Sequence, residues 1–279
     1  MVLLSGLLLH ACGSASHTPD SRKVVTVSLP PQKFLLDRIV GDRMEVRCLL
    51  GQGSDPESYE PGMSQMLNLE KSVAYFRIGH IGFEDAIIDK VKQACPDLEI
   101  FDNSKGVSYV FGTHGDESPD EVDPHIWSSP ANVRIIAANM LRAAVSVDSV
   151  NAPYYEANFR RLMATVDSVD HVVGEMVEAA PSRSFVVWHP SLSYFARDYG
   201  LKQISLGAEH KESSVGDLRQ RVGLAKESGA RIFFMQQDVD SRAAQSIVSE
   251  TGLKAVSVNP LNYRWDEEMV NTARALAVE

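Results

Sequence analysis

The chain is poor in cysteine, in basic charge and in long apolar runs, and each shortage narrows what it can be. Three cysteines in 279 residues leave room for one bridge at most once one of them is committed elsewhere. Lys and Arg total 27 against 37 Asp and Glu, a net charge of −10. That balance argues against a nucleic-acid partner and against a polybasic membrane patch. The one apolar stretch at the N-terminus, Met1 to Ala11, is too short to span a bilayer, which takes about 20 residues. No His-Glu-x-x-His and no Gly-x-Ser-x-Gly occurs, so the familiar signatures of a zinc protease and of a serine hydrolase are missing. No residue-level repeat is visible either.

What is present is ordinary for a soluble globular protein: 44% hydrophobic and 23% charged residues. The length suits two α/β domains. Residues 1–22 read as a signal and tether. Leu9-His10-Ala11-Cys12 resembles a bacterial lipobox, although His10 is unusual inside one and no Lys or Arg precedes the apolar run. On this reading Cys12 carries a lipid and Gly13 to Arg22 is a polar tether. The alternative is a disordered end. Cys48 falls in a strand and Cys95 at a helix end, and both are expected as buried free thiols.

Apolar periodicity and turn residues predict alternating elements. Strands are expected at Lys23–Leu29, Met44–Leu49, Val73–Ile78 and Leu98–Phe101, with helices at Gln32–Val40, Ser64–Ser72 and Phe83–Ala94. A polar loop, 102–122, leads to a helix from Pro130 to Val147. From Pro153, apolar residues recur at steps of three or four as far as Met176, and Pro181 stops the run. Such a helix over 153–180 is about 42 Å long, enough to run along two lobes, and Asn151 stands where it could cap it. Strands then return at Ser184–Val187, Lys202–Ser205, Ile232–Met235 and Ala255–Val258. Their helices are Ser191–Tyr199, Asp217–Ser228, Ser241–Thr251 (capped by Asp240) and Asp266–Ala277. Strands separated by helices imply parallel sheets. The expected fold is α/β: an N-terminal lobe over 23–150, a linker helix over 151–181 and a C-terminal lobe over 182–279. Each lobe carries a four-stranded, mainly parallel sheet flanked by helices.

In such sheets ligands bind beyond the carboxyl ends of the strands. Glu57 lies in the loop after the second strand, and His189, Gln236 and Asn259 each follow a strand directly. His125, in Asp123-Pro124-His125-Ile126-Trp127, comes from the long loop. Glu57, His125 and His189 are therefore read as meeting at one metal ion. Bland alternatives stand beside this: core histidines bonded to carbonyls, an exposed loop glutamate, and a capping role for Asn259 before Pro260. His80, His171 and His210 read as surface residues, and Trp127 and Trp188 as packing walls.

From about Val24 onward the chain resembles the zinc- and manganese-binding solute-binding proteins of bacterial ABC importers. The likeness is carried by four motifs in order: Pro56-Glu57-Ser58-Tyr59-Glu60-Pro61, Asp123 to Trp127, His189 with Tyr194-Phe195 and Tyr199-Gly200-Leu201, and Asn259-Pro260-Leu261. It departs where the family has its first histidine, here Glu57, and its carboxylate near the last strand, here Asn259. Gln236 stands where an acidic residue is often found. The loop that is histidine-rich in zinc members holds only His114, with Asp116, Glu117, Asp120 and Glu121. The resemblance implies a metal site of Glu57, His125, His189 and Asn259, with Gln236 or water as other candidates for the fourth place. It implies zinc as the carried ion, with manganese or ferrous iron as alternatives. It further implies a monomer at the periplasm or cell surface that docks on an ABC permease, and no enzymatic activity; the long bridging helix should resist wide opening, so loading is expected as a small tilt or an ordering of loop 102–122. The rivals are a metal-dependent hydrolase or chelatase of similar build, and an adhesin or extracellular metal buffer.

Overall fold

A parallel pair of strands cannot be joined by a tight turn, so each neighbouring strand here costs a helical crossover. The computed structural model describes residues 22–51, 53–112, 121–207, 215–236 and 241–278, and it repeats that pattern twice. The first sheet holds β1 (Lys23–Val27), β2 (Met44–Cys48), β3 (Ala74–Arg77) and β4 (Glu99–Asp102) in the order β2-β1-β3-β4. The second holds β5 (Ser184–Val187), β6 (Lys202–Ser205), β7 (Ile232–Met235) and β8 (Lys254–Ser257) in the order β6-β5-β7-β8. All six pairings are parallel. In each sheet the strand order reverses between the first and third strands, and a crevice opens at that switch point beyond the carboxyl ends.

The helices are α1 (Pro30–Val40), α2 (Met63–Glu70), α3 (Gly82–Ala94), α4 (Pro130–Val147), α5 (Ala152–Glu178), α6 (Ser193–Asp198), α7 (Val215–Glu227), α8 (Ser241–Thr251) and α9 (Trp265–Ala277). Helix α5 is the linker. It buries Tyr155, Leu162, Val166, Val169, Val173 and Val177 along one side, at the helical spacing that the sequence shows, and it packs against α1, α4 and α9. One hydrophobic core therefore runs from the first sheet through α4 and α5 into the second lobe. A smaller cluster around Val186, Leu206 and Phe233 lies within the second lobe. A second bridge joins the lobes beside α1: the Tyr263 hydroxyl donates to Asp37 at 2.9 Å, and the Phe34 ring meets those of Tyr263 and Trp265.

Where element ends differ from expectation, the cause is local. Helix α1 starts at Pro30 because two prolines fit its first turn, and Gln32 Oε1 accepts from the Ser28 and Leu29 amides. That contact draws the chain out of β1 at Val27. Asn151 does not cap α5; its amide donates to Asp148 at 2.7 Å, and a 3-10 turn over Ser149–Asn151 leads in instead. Helix α6 begins two residues late, because Ser191 first closes a turn onto the His189 carbonyl. Cys48 and Cys95 are both free, but each is only partly buried. Burial pushes the Cys48 thiol up to about 12, so it stays protonated. The lipobox with Cys12, the acidic loop residues Asp116, Glu117 and Asp120, His114, His210 and Asp240 lie outside the described residues.

Candidate metal centre

Three loops from the carboxyl-end side converge where the lobes face each other. The first leaves β2 and carries Glu57. Its shape is set by Asp55, whose carboxylate accepts from the Glu57 amide at 3.0 Å and from the Ser58 hydroxyl at 2.7 Å. Tyr59 anchors it by donating to the Leu49 carbonyl at 2.9 Å and stacking edge-on against Phe83. Below it, the turn after β3 is held by buried Glu84, which accepts from the Ile78 and Gly79 amides, each at 2.8 Å. That turn brings Gly82 up against the Glu57 carbonyl.

The second loop carries His125 into a short 3-10 turn, Ile126–Ser128. His125 is 3% exposed. Asp123 Oδ1 accepts from the His125 amide and stands 2.9 Å from its Nδ1. Burial alone would raise the Asp123 carboxyl. Its hydrogen bond to His125 and the charge there, helped by the Ser193 hydroxyl, outweigh that and hold it at about 2. Asp123 is thus a carboxylate, which only accepts. The charge at His125 belongs to the imidazolium; in the neutral ring the Asp123 carboxylate keeps the remaining proton on Nδ1, so that Nε2 presents a lone pair. The third loop follows β5. The His189 amide donates to Gln236 Oε1 at 3.3 Å, and Gln236 Nε2 donates to Ser191 at 2.8 Å. Both ends of Gln236 are therefore spent on shaping the His189 turn.

The result is a triangle of ligand atoms. His125 Nε2 and His189 Nε2 are 3.1 Å apart. Glu57 Oε1 lies 3.0 Å from the His189 nitrogen and 3.7 Å from that of His125. Glu57, His125 and His189 are the group of metal-ligating side chains found among the described residues. Two ligands about 2.0–2.1 Å from a tetrahedral zinc ion stand roughly 3.4 Å from each other, so the spacing suits one ion. Glu57 Oε1 is buried and receives no hydrogen bond. A buried carboxylate oxygen without a donor is costly, and a cation at the centre of the triangle would satisfy it.

Other residues named from the sequence have these partners. The Asn259 side-chain oxygen accepts from the Leu261 amide at 3.1 Å, closing a turn, while its own amide donates to Glu268 at 2.7 Å. Trp127 is 2% exposed and lies with its ring centre 5.2 Å from that of His125. His80 is exposed at φ 58°, its ring edge-on to Tyr109. His171 is exposed on α5 beside Glu175. Sequence reasoning quoted Asp123 and Tyr194 inside motifs without giving them a role. The signal for Asp123 was available: a carboxylate two residues before a histidine, across a proline that bends the chain back on itself.

The arrangement also has counterparts. Residues 25–276 match the family described as ZnuA, zinc-uptake complex component A, periplasmic. The high-affinity zinc uptake system protein ZnuA of Bacillus subtilis is 27% identical over 280 aligned residues, covering 94% of this chain and 87% of that protein. The zinc-binding lipoprotein AdcA of Streptococcus pneumoniae is 25% identical, covering 95% of this chain but 55% of that protein, so the chain spans about half of AdcA. Among solved structures, a zinc-bound ZnuA deletion mutant superposes with a TM-score of 0.85 at 32% identity, over 92% of this chain and 97% of that one. With a match that runs from the first strand to the last helix, the chain belongs to the ZnuA family.

Proposed function

We propose that this protein captures a divalent transition metal, zinc first, between its two lobes and delivers it to the permease of an ABC importer. The observation that carries the reading is the triangle of Glu57, His125 and His189, whose carboxylate corner is buried, accepts no hydrogen bond and faces both imidazole nitrogens. Two imidazoles and one carboxylate are a zinc set, and manganese or ferrous iron accept the same atoms. The zinc named in the ZnuA and AdcA relatives supports zinc as the cargo. The fourth position goes to water or to the Asn259 oxygen, which accepts one hydrogen bond from the Leu261 amide and keeps a second lone pair. A lipid on Cys12, a monomeric state and residence at the periplasm or cell surface belong to the same reading. No helix of the described residues is long and apolar enough to cross a membrane.

A hydrolytic enzyme would need a general base beside the open metal position. The carboxylates here are Glu57, a ligand in this reading, and Asp123, which is locked onto Nδ1 of His125. Both imidazoles must be neutral to bind, so affinity is expected to fall as pH drops below about 6.5. The direct test is zinc titration against a chromophoric chelator. One ion per chain is expected, with His189→Ala losing at least about 100-fold in affinity. Equal affinity in the variant would refute the assignment.

A further inference from the structure

The loop that carries His125 leaves the first lobe, yet a side chain of the second lobe holds it. Residues 110–112 and 121–123 form a short antiparallel ribbon around the bridge between Phe111 and Val122. Gly112 donates to Glu121, and Asp123 donates to Val110 at 2.9 Å. In a regular ladder Val110 and Asp123 would exchange both bonds, so the Val110 amide would also donate to the Asp123 carbonyl. Here the Tyr194 hydroxyl takes the place of that second rung. It accepts from the Val110 amide at 3.2 Å and donates to the Asp123 carbonyl at 2.6 Å. Tyr194 is fully buried and sits in the first turn of α6, just past His189 in the chain.

We propose that Tyr194 is a positioning residue for the metal site: its hydroxyl, from the second lobe, sets the place of Asp123 and through it the aim of the His125 imidazole. The assignment rests on the metal reading above. It makes His125 and His189 one preassembled pair, both fixed to the second lobe around α6. The pair is tied further by Trp127, whose indole donates to the Pro260 carbonyl at 2.8 Å, and by Trp265, whose indole donates to the Trp127 carbonyl at 2.8 Å. Glu57 is then the ligand that approaches from the other lobe. Without the hydroxyl, the ribbon either closes on itself, dragging Asp123, or leaves an amide and a carbonyl buried without partners. In both cases Nδ1 of His125 loses its aligned acceptor.

The test compares wild type, Tyr194→Phe and Tyr155→Phe. Tyr155 is an equally buried tyrosine whose hydroxyl donates to Asp148 at 2.7 Å, away from the site, so its variant reports the cost of losing a buried tyrosine hydroxyl as such. Cobalt(II) is the spectroscopic probe, and zinc release to excess chelator gives the rate. Tyr194→Phe is expected to shift the visible cobalt bands and speed zinc release about 10- to 100-fold, while Tyr155→Phe changes neither. Bands and rate unchanged in Tyr194→Phe, or changed equally in Tyr155→Phe, would overturn the proposal. If Tyr194→Phe does not fold, Ser193→Ala removes another α6 contact to Asp123. Several-fold faster release then supports the proposal and an unchanged rate overturns it. A wild-type chain without cobalt bands would end the metal reading itself, and this assignment with it.

Discussion

At His125 the protein fixes a tautomer before any ion arrives. The Asp123 carboxylate is fully buried and receives both the amide and the ring proton of His125. Its folded value of about 2 lies below the ordinary aspartate range. The stabilisation is therefore complete above roughly pH 4, and it is lost as pH falls through about 2; its size is about 2 kcal/mol. Replacing Asp123 with Asn tests both of its roles. Zinc affinity is expected to drop about 10- to 100-fold, and the loss of stability below pH 4, measured by denaturant titration of the metal-free chain, should shrink. At this scale the sequence was readable where position alone decides. Glu57 and His189 follow strands, and His125 sits in a recognisable pentapeptide. Tyr194 was not readable, because its partner Asp123 is 71 residues away and nothing local marks a hydroxyl that completes another segment's ladder.

Among the elements, α5 carries the most structural weight, and its period was plain in the apolar steps from Tyr155 to Met176, although Val177 rather than Met176 is the residue it buries at that end. What the sequence does not display is how other elements close against it. Gly41, at φ 56°, ends α1 where an added Cβ would run into the Tyr154 hydroxyl of α5. Gly41→Ala should destabilise the chain by about 2 kcal/mol or more, from backbone strain and steric displacement together. For a chain of this size that is a melting-point loss of at least about 4 °C, checked by calorimetry on the metal-free protein. The Asn158 amide, donating to the Ile39 carbonyl at 3.0 Å, ties the same two helices. Strand and helix order was legible because short apolar runs alternate with stretches of helical spacing, and Gly41, Pro96, Gly200, Gly229 and Gly252 mark helix ends. Ends shifted by a residue or two, in some places because a local contact intervened, as Gln32 does at the start of α1 and the Ser191 turn does before α6.

Taken whole, the molecule has two sheets of identical strand order joined by one continuous core, with the Glu57–His125–His189 triangle between them. A helix of 27 residues that packs on both lobes resists wide hinge opening. Together with the Tyr263–Asp37 bond, it leaves small adjustments of the Glu57 loop as the natural response to loading. The radius of gyration, about 18 Å for a compact body of the described residues, is expected to change by less than about 1 Å between metal-free and zinc-loaded protein in X-ray scattering. A change of several ångströms would mean that the lobes swing. Two lobes and a bridging helix could be foreseen from element order. The shared core could not, because burial on both sides of α5 depends on which faces meet.

The measurement that bears most directly on the account is zinc X-ray absorption of the loaded protein beside Glu57→Ala. Two imidazole nitrogens and two oxygens at about 2.0 Å are expected in the wild type, with one oxygen exchanged or lost and both imidazoles kept in the variant. A spectrum showing sulfur, or fewer than two imidazoles in the wild type, would contradict it.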